Sequence, residues 1–282
     1  MNGKRLIVNA DDYNTDGDRN RGIIEAARNG IVSSVSVLTN LPWHDNAQQD
    51  LTASFNNNIG IHLNLTKGLP LTKGARTLTD QTGRFFSKLR AWRKALLGSY
   101  CTGEIRMEFE AQINRLIRAG IMPDHIDGNN HIHVFPGIAA VTAGLAVQFG
   151  IPCIRLPREP LHSAARLVRA GGCKKLMFLM LCRSARKIFL RAGLRFPDRT
   201  AGIQQPRVWD VPELRQFLRT LPDGTTELMC HPGYAANNGN PFSTPRRQEE
   251  LTALTNAEVM QDVEKYGIII CSYSTLKDTR NP

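Results

Sequence analysis

Short apolar runs alternate along this chain with longer stretches in which apolar residues recur every three or four positions. The first pattern is that of buried strands, the second that of amphipathic helices. On this basis strands are expected over residues 5–10, 35–39, 60–65, 125–127, 152–156, 227–230 and 268–272. Helices are expected over residues 18–29, 102–119, 137–149, 174–192, 211–221 and 245–266. Gly30, Gly120, Gly150, Gly193 and Gly267 follow five of these helices, at the position of a left-handed C-cap. Strand, loop and helix repeated in this way predict an α/β fold with a parallel sheet curled into a barrel. One domain spanning residues 1–282 is expected, with no internal repeat or linker.

The composition fits such a fold. Of 282 residues, 41% are hydrophobic and 22% charged, which supports a sizeable core and excludes disorder or a fibre. The six cysteines, Cys101, Cys153, Cys173, Cys182, Cys230 and Cys271, form no C-x-x-C pair, so neither a zinc knuckle nor a disulfide framework is expected. The opening MNGKRLIVNADD lacks the apolar stretch and cleavage site of a secretory signal. The longest apolar run, residues 176–181, falls far short of the roughly 20 residues that span a bilayer. A cytoplasmic location is therefore expected, and the Asn64-Leu65-Thr66 sequon is read as chance. Neither a P-loop, a dinucleotide-binding glycine pattern nor a G-x-S-x-G elbow occurs.

The net charge of +11 is local. Residues 155–199 hold 12 Lys or Arg against Glu159 and Asp198, leaving 24 basic and 23 acidic residues elsewhere. This charge is interleaved with Leu176, Met177, Phe178, Leu179, Met180, Leu181, Ile188, Phe189 and Leu190 rather than with exposed stacking aromatics, so a nucleic-acid partner is not expected. Residues 157–199 read as a basic amphipathic helical insertion. It suits an anionic membrane surface at the inner face, or a partner's apolar groove. A homodimer is a separate expectation. The other reading is a solvated helix with one face on the core.

Four polar clusters sit at the ends of expected strands, where α/β folds place their chemistry. Asn9-Ala10-Asp11-Asp12-Tyr13-Asn14 carries two adjacent carboxylates, which point to opposite sides unless the chain turns there. In Gly60-Ile61-His62-Leu63-Asn64-Leu65-Thr66, His62 and Asn64 share one face. In His125-Ile126-Asp127-Gly128-Asn129-Asn130-His131-Ile132-His133, an extended backbone would aim His125, Asp127, Asn129, His131 and His133 the same way. Five such groups must meet water, a metal or a substrate. In Cys230-His231-Pro232-Gly233-Tyr234, a histidine is locked in a turn, with a reference pKa that suits a general acid beside a metal.

In this order NADDYN, GIHLNLTKGLPLT, PDHIDGNNHIHVFPG and CHPGY resemble the YdjC-like carbohydrate deacetylases over residues 6–273, nearly the whole chain. The resemblance implies a distorted TIM-like (β/α) barrel that hydrolyses the N-acetyl group of an amino sugar, on an oligosaccharide or a lipid-linked glycan. It implies one divalent metal ion, Mg or Zn. Asp11 would be the general base, Asp12 and His62 metal ligands, and His231 the acid for the departing amine. Asn64, Asp127, His133 and Tyr234 are the expected substrate contacts. Two positions depart from the family pattern: Tyr13-Asn14 stands where Phe-Gly is usual, and Asn129 where a metal-binding histidine is usual. Asn129 coordinates in its place, or His131 does, or metal binding is impaired. A two-metal phosphoesterase and a barrel that only binds a glycan or lipid are the alternatives.

Overall fold

The computed structural model describes residues 3–44, 46–159, 172–203, 209–235 and 244–277, with only the backbone of 172–175. Within them, eight parallel strands form one sheet: β1 (Lys4–Tyr13), β2 (Ser34–Val37), β3 (Ile59–Leu63), β4 (His125–Gly128), β5 (Cys153–Ile154), β6 (Arg199–Ala201), β7 (Gly224–Cys230) and β8 (Ile269–Cys271). Their order is β5-β4-β3-β2-β1-β7-β6, with β8 also paired to β1. β1 is central: β7 runs beside Lys4 to Ala10, while β8 pairs with Arg5 to Ile7 and β2 with Asn9 to Tyr13. The two ends of the sheet meet, because Ile154 N donates to Arg195 O (2.8 Å) and Thr200 N to Arg158 O (3.1 Å). The expected α/β, TIM-like architecture is what forms, irregular at that seam.

The helices cover the outside of the sheet: α1 (Gly17–Asn29), α2 (Ala47–Phe55), α3 (Lys88–Leu96), α4 (Thr102–Arg118), α5 (Ile138–Gln148), α6 (Gly172–Arg191), α7 (Val211–Arg219), α8 (Pro245–Leu254) and α9 (Ala257–Lys265). Their starts are written in the sequence. Asp16 accepts from Arg19 N (2.8 Å) and Asp210 from Glu213 N (2.8 Å), each satisfying an amide that a helix N-terminus leaves without a partner.

Three features differ from the sequence expectation. α2, α3 and β6 are short elements for which no strong periodicity stood out. The helix expected over residues 245–266 is two: Leu254 O accepts Ile31 N (3.1 Å), and Asn256 starts α9 by capping Glu258 N and Val259 N. Gly120, Gly150, Gly193 and Gly267 are left-handed, but Gly30 is not (φ −139°). It is small for another reason, since a Cβ there would lie 2.3 Å from Leu254 O. Of the segment expected as a basic insertion, residues 160–171 lie outside the described residues, and α6 is the crossover between β5 and β6.

Candidate active site

A cavity of about 700 Å³ opens where the strands end. Asp11, Asp12, His62, Asn129, His131 and His231 all line it. The two aspartates reach it together because β1 breaks its register between Ala10 and Tyr13, with Asp12 left-handed (φ 70°). A bulge of this kind re-aims one side chain, so neighbours that would point apart converge. A left-handed non-glycine residue costs roughly 1–3 kcal/mol, which the surrounding contacts must supply.

At the base of the site lies Arg155, fully buried in the chain segment leaving β5. Its guanidinium holds both Asp11 oxygens at 2.7 Å and reaches Asp127 Oδ2 and Glu227 Oε1 at 2.7 Å each. Burial opposes its charge, but Asp11, Asp127 and Glu227 outweigh this and drive its pKa well above the usual value. Burial raises the Glu227 carboxyl, against the pull of Arg155. Asn9 Nδ2 adds a hydrogen bond to Asp11 Oδ1 (2.8 Å).

His62 is oriented from behind, with Nδ1 2.6 Å from Asp127 Oδ1. Its Nε2 lies 3.6 Å from Asp12 Oδ1 at the cavity. Burial would lower the His62 pKa, yet Asp127, Asp11 and Asp12 raise it to about 9. Burial would raise Asp12, but Arg19, His231, His62 and Lys67 hold it well below the carboxylate range. Asp12 is thus paired with Arg19 (3.3 Å) and faces the imidazole of His62, an acidic oxygen and a ring nitrogen side by side at the cavity. Asp11, His62 and Asp127 also lie close enough together to share an ion. The Arg155 guanidinium already occupies those two carboxylates, and its charge would repel a cation there.

The histidine-rich segment is not the extended ladder expected. β4 ends at Gly128, and residues Asn129–Val134 form a 3-10 turn in which Asn130 and His131 are left-handed (φ 55° and 58°). The side chains therefore separate. His125 is buried between Asp124 (2.6 Å) and Ser36 (3.1 Å), stacked on Tyr273. His133 Nε2 lies 2.9 Å from Arg155 O, and burial lowers its pKa to about 4. His131 stays at the cavity, edge-on to Phe178, with Nδ1 buried and lacking a hydrogen-bond partner among the described residues. Burial, then Arg155, keep it neutral.

The expected substrate contacts are placed elsewhere. Asp127 and His133 are fully buried below the cavity in the contacts just given. Asn64 caps the following turn, accepting from Thr66 N (2.8 Å) and Lys67 N (3.1 Å), so its neighbours line the cavity instead. Tyr234 lies in a separate groove, bonded to Glu25 with Arg21 over its ring. Its loop is pinned to α1, where a Cβ on Gly22 would fall 2.5 Å from Gly233 Cα. His231 is in place, but burial, then Arg247, lower its pKa to about 3. It rests as a neutral imidazole rather than the near-neutral acid its reference value suggested.

Sequence reasoning missed Arg155, Glu227, Ser36 and the aromatic walls Trp92, Phe178 and Trp209. A signal for the first existed: one arginine in the apolar run Pro152-Cys153-Ile154-Arg155-Leu156 must find carboxylates if buried. The indole N–H of Trp92 donates to Asn130 O (3.0 Å) and that of Trp209 to Met229 O (3.2 Å), which fixes both rings.

The model of the family described as YdjC-like protein matches residues 5–265. A carbohydrate deacetylase of Clostridium beijerinckii is 30% identical over 275 residues, covering 96% of this chain and 100% of the relative. A chitooligosaccharide deacetylase of Escherichia fergusonii is 30% identical over 278 residues, covering 95% and 97%. The crystal structure of a putative cellobiose-phosphate cleavage protein of Enterococcus faecalis superposes with a TM-score of 0.76 at 25% identity, covering 97% of this chain and 99% of that one. With its motifs gathered at one cavity and this match over nearly its whole length, the chain belongs to the YdjC-like family.

Proposed function

We propose that this protein is a metal-dependent hydrolase that removes the N-acetyl group of an amino sugar, carried on an oligosaccharide or a lipid-linked glycan, in one barrel domain. The observation that carries this reading is the meeting of Asp11, Asp12 and His62 on one cavity wall, produced by the left-handed Asp12. Relatives named carbohydrate and chitooligosaccharide deacetylases support the substrate class.

The residues fit a divalent ion. Asp12 and His62 present an oxygen and a nitrogen 3.6 Å apart, and the carboxylate of Asp127 behind the imidazole is the usual device for orienting a metal-ligating histidine. Asn129 Oδ1 accepts one hydrogen bond, from Asn130 Nδ2 (2.7 Å), and keeps a second lone pair. Asn129 and neutral His131, which line the same cavity, would be the further donors. This mixed oxygen and nitrogen set suits Mg or Zn. When bound, such an ion polarises the acetyl carbonyl and lowers the pKa of a water.

The chain's own groups do the rest. Asp11, held by the Arg155 fork, takes the proton from the attacking water. That proton must end on the departing nitrogen for the C–N bond to break, and His231, a neutral imidazole at rest, relays it by accepting it on one ring nitrogen and releasing it to the amine. Trp92 and Trp209 form rigid walls for a sugar, and Lys67 edges the opening. Five cysteines among the described residues are free, which supports a reducing, cytoplasmic location. Among the described residues, no helix is long and apolar enough to cross a membrane.

Acetate release from a panel of acetylated amino sugars, measured alongside bound metal, tests the reading. Asp11→Asn should lower turnover by roughly 10²–10⁴-fold while circular dichroism and metal content stay unchanged. Turnover retained in that variant would remove Asp11 from the mechanism.

A further inference from the structure

α3 and α6 each send an aromatic ring to the mouth of the cavity. Trp92 of α3 and Phe178 of α6 both line it, and their rings meet edge to face at 5.3 Å. Both helices bury one side: Ala91, Trp92 and Ala95 on α3, and Phe178, Leu181, Ala185 and Phe189 on α6. Their outer sides have an unusual composition. On α3, Leu89 is 76% exposed, Leu96 and the following Leu97 are also exposed, and Arg90 and Arg93 lie among them. On α6, Leu176, Met180, Arg183, Lys187 and Arg191 are exposed, three or four positions apart and so one stripe along the helix, with Ser184 exposed beside it. Neither helix contains an aspartate or glutamate to neutralise this charge.

Scattered exposed leucines are ordinary, but apolar tips set among cations, on two helices flanking one opening, form a patch with a definite chemistry. We propose that the outer faces of α3 and α6 dock on a bilayer rich in anionic headgroups, with the cavity mouth held at the lipid surface. Leu89, Met180 and their neighbours enter the headgroup boundary while the arginines and lysines pair with lipid phosphate. The charge argues against a second copy of the chain as occupant, since two such faces would repel. Nucleic acid is disfavoured because the outermost groups are aliphatic and offer no stacking surface. The inference does not depend on the deacetylase reading, and acetate release from a water-soluble substrate reports on that separately.

The test is co-sedimentation of the full chain with vesicles of phosphatidylglycerol and phosphatidylcholine in equal parts, against phosphatidylcholine alone. Binding should occur on the anionic vesicles at low salt and vanish at high salt. The paired variant Leu89→Glu/Met180→Glu, and separately Arg93→Glu/Arg183→Glu, should each weaken it by about tenfold or more. Met122→Glu, at an equally exposed residue (59%) on the loop entering β4 at the other end of the barrel, should leave it unchanged. No binding at low salt, an equal loss with Met122→Glu, or a dimer in solution that Leu89→Glu/Met180→Glu dissociates would each overturn the proposal.

Discussion

Arg155 grips Asp11 through two parallel hydrogen bonds of 2.7 Å, with the guanidinium fully buried and a further carboxylate on each remaining side. A fork of this kind fixes both the position and the rotation of the carboxylate, which a lysine cannot do. It also makes the base of the site and the closure of the barrel one structure, because Arg155 leaves β5 at the seam of the sheet while Asp11 and Glu227 come from β1 and β7.

Arg155→Met therefore leaves three buried carboxylates without their cation and should cost about 3–5 kcal/mol, read by chemical denaturation. Arg155→Lys keeps the charge but loses the fork. Turnover should fall on the order of a hundredfold with a smaller stability loss, since small misplacements of a reacting group carry penalties of that size. Unchanged turnover in Arg155→Lys would show that the orientation of Asp11 is set elsewhere.

Ser36 ties the layer below together: its hydroxyl donates to Asp127 Oδ2 (2.8 Å), accepts from Asn9 Nδ2 (2.8 Å) and lies 3.1 Å from His125 Nε2. Ser36→Ala strands buried polar atoms and should lower stability by about 1–3 kcal/mol. Because Asp127 orients His62, the same variant should also weaken metal retention on dialysis, whereas Ser36→Thr should restore it.

The proposed coordination by Asn129 has a direct test. Asn129→His exchanges a hard amide oxygen for a borderline imidazole nitrogen and should raise zinc affinity about tenfold or more, with less gain for magnesium. Titration calorimetry with each metal measures this directly. Equal affinities in the two proteins would place residue 129 outside the coordination sphere.

Glu250, buried at the cavity edge, has its pKa raised to about 7 by burial, against the pull of Arg247 and the His231 amide. The folded state thus holds this proton more tightly than the unfolded chain. The resulting stabilisation is complete below about pH 4.5 and is lost as pH rises through about 7. Glu250→Gln removes this dependence. Relative to the variant, the wild-type protein should lose on the order of 2–3 kcal/mol between pH 4.5 and pH 8, visible in parallel melting curves.

The sequence by itself determined the alternation of strands and helices, because burial of a parallel sheet demands apolar runs and burial of a helix face demands its own period. It also placed Asp11, Asp12, His62, Asn129, His131 and His231 at strand ends, and all six line the cavity. What it did not determine was direction. Period-two reasoning aligned His125 and His133 with Asn129, but the left-handed Asn130 and His131 break that line and send the outer histidines into the barrel. Nor did local pattern pair Arg155 with Asp11, 144 residues away in the chain, or place Trp92 against Phe178. These relationships arise only when the sheet curls until its edges meet. A charge can be buried there because three strands bring carboxylates to it at once, and that convergence is a property of the closed barrel rather than of any one segment.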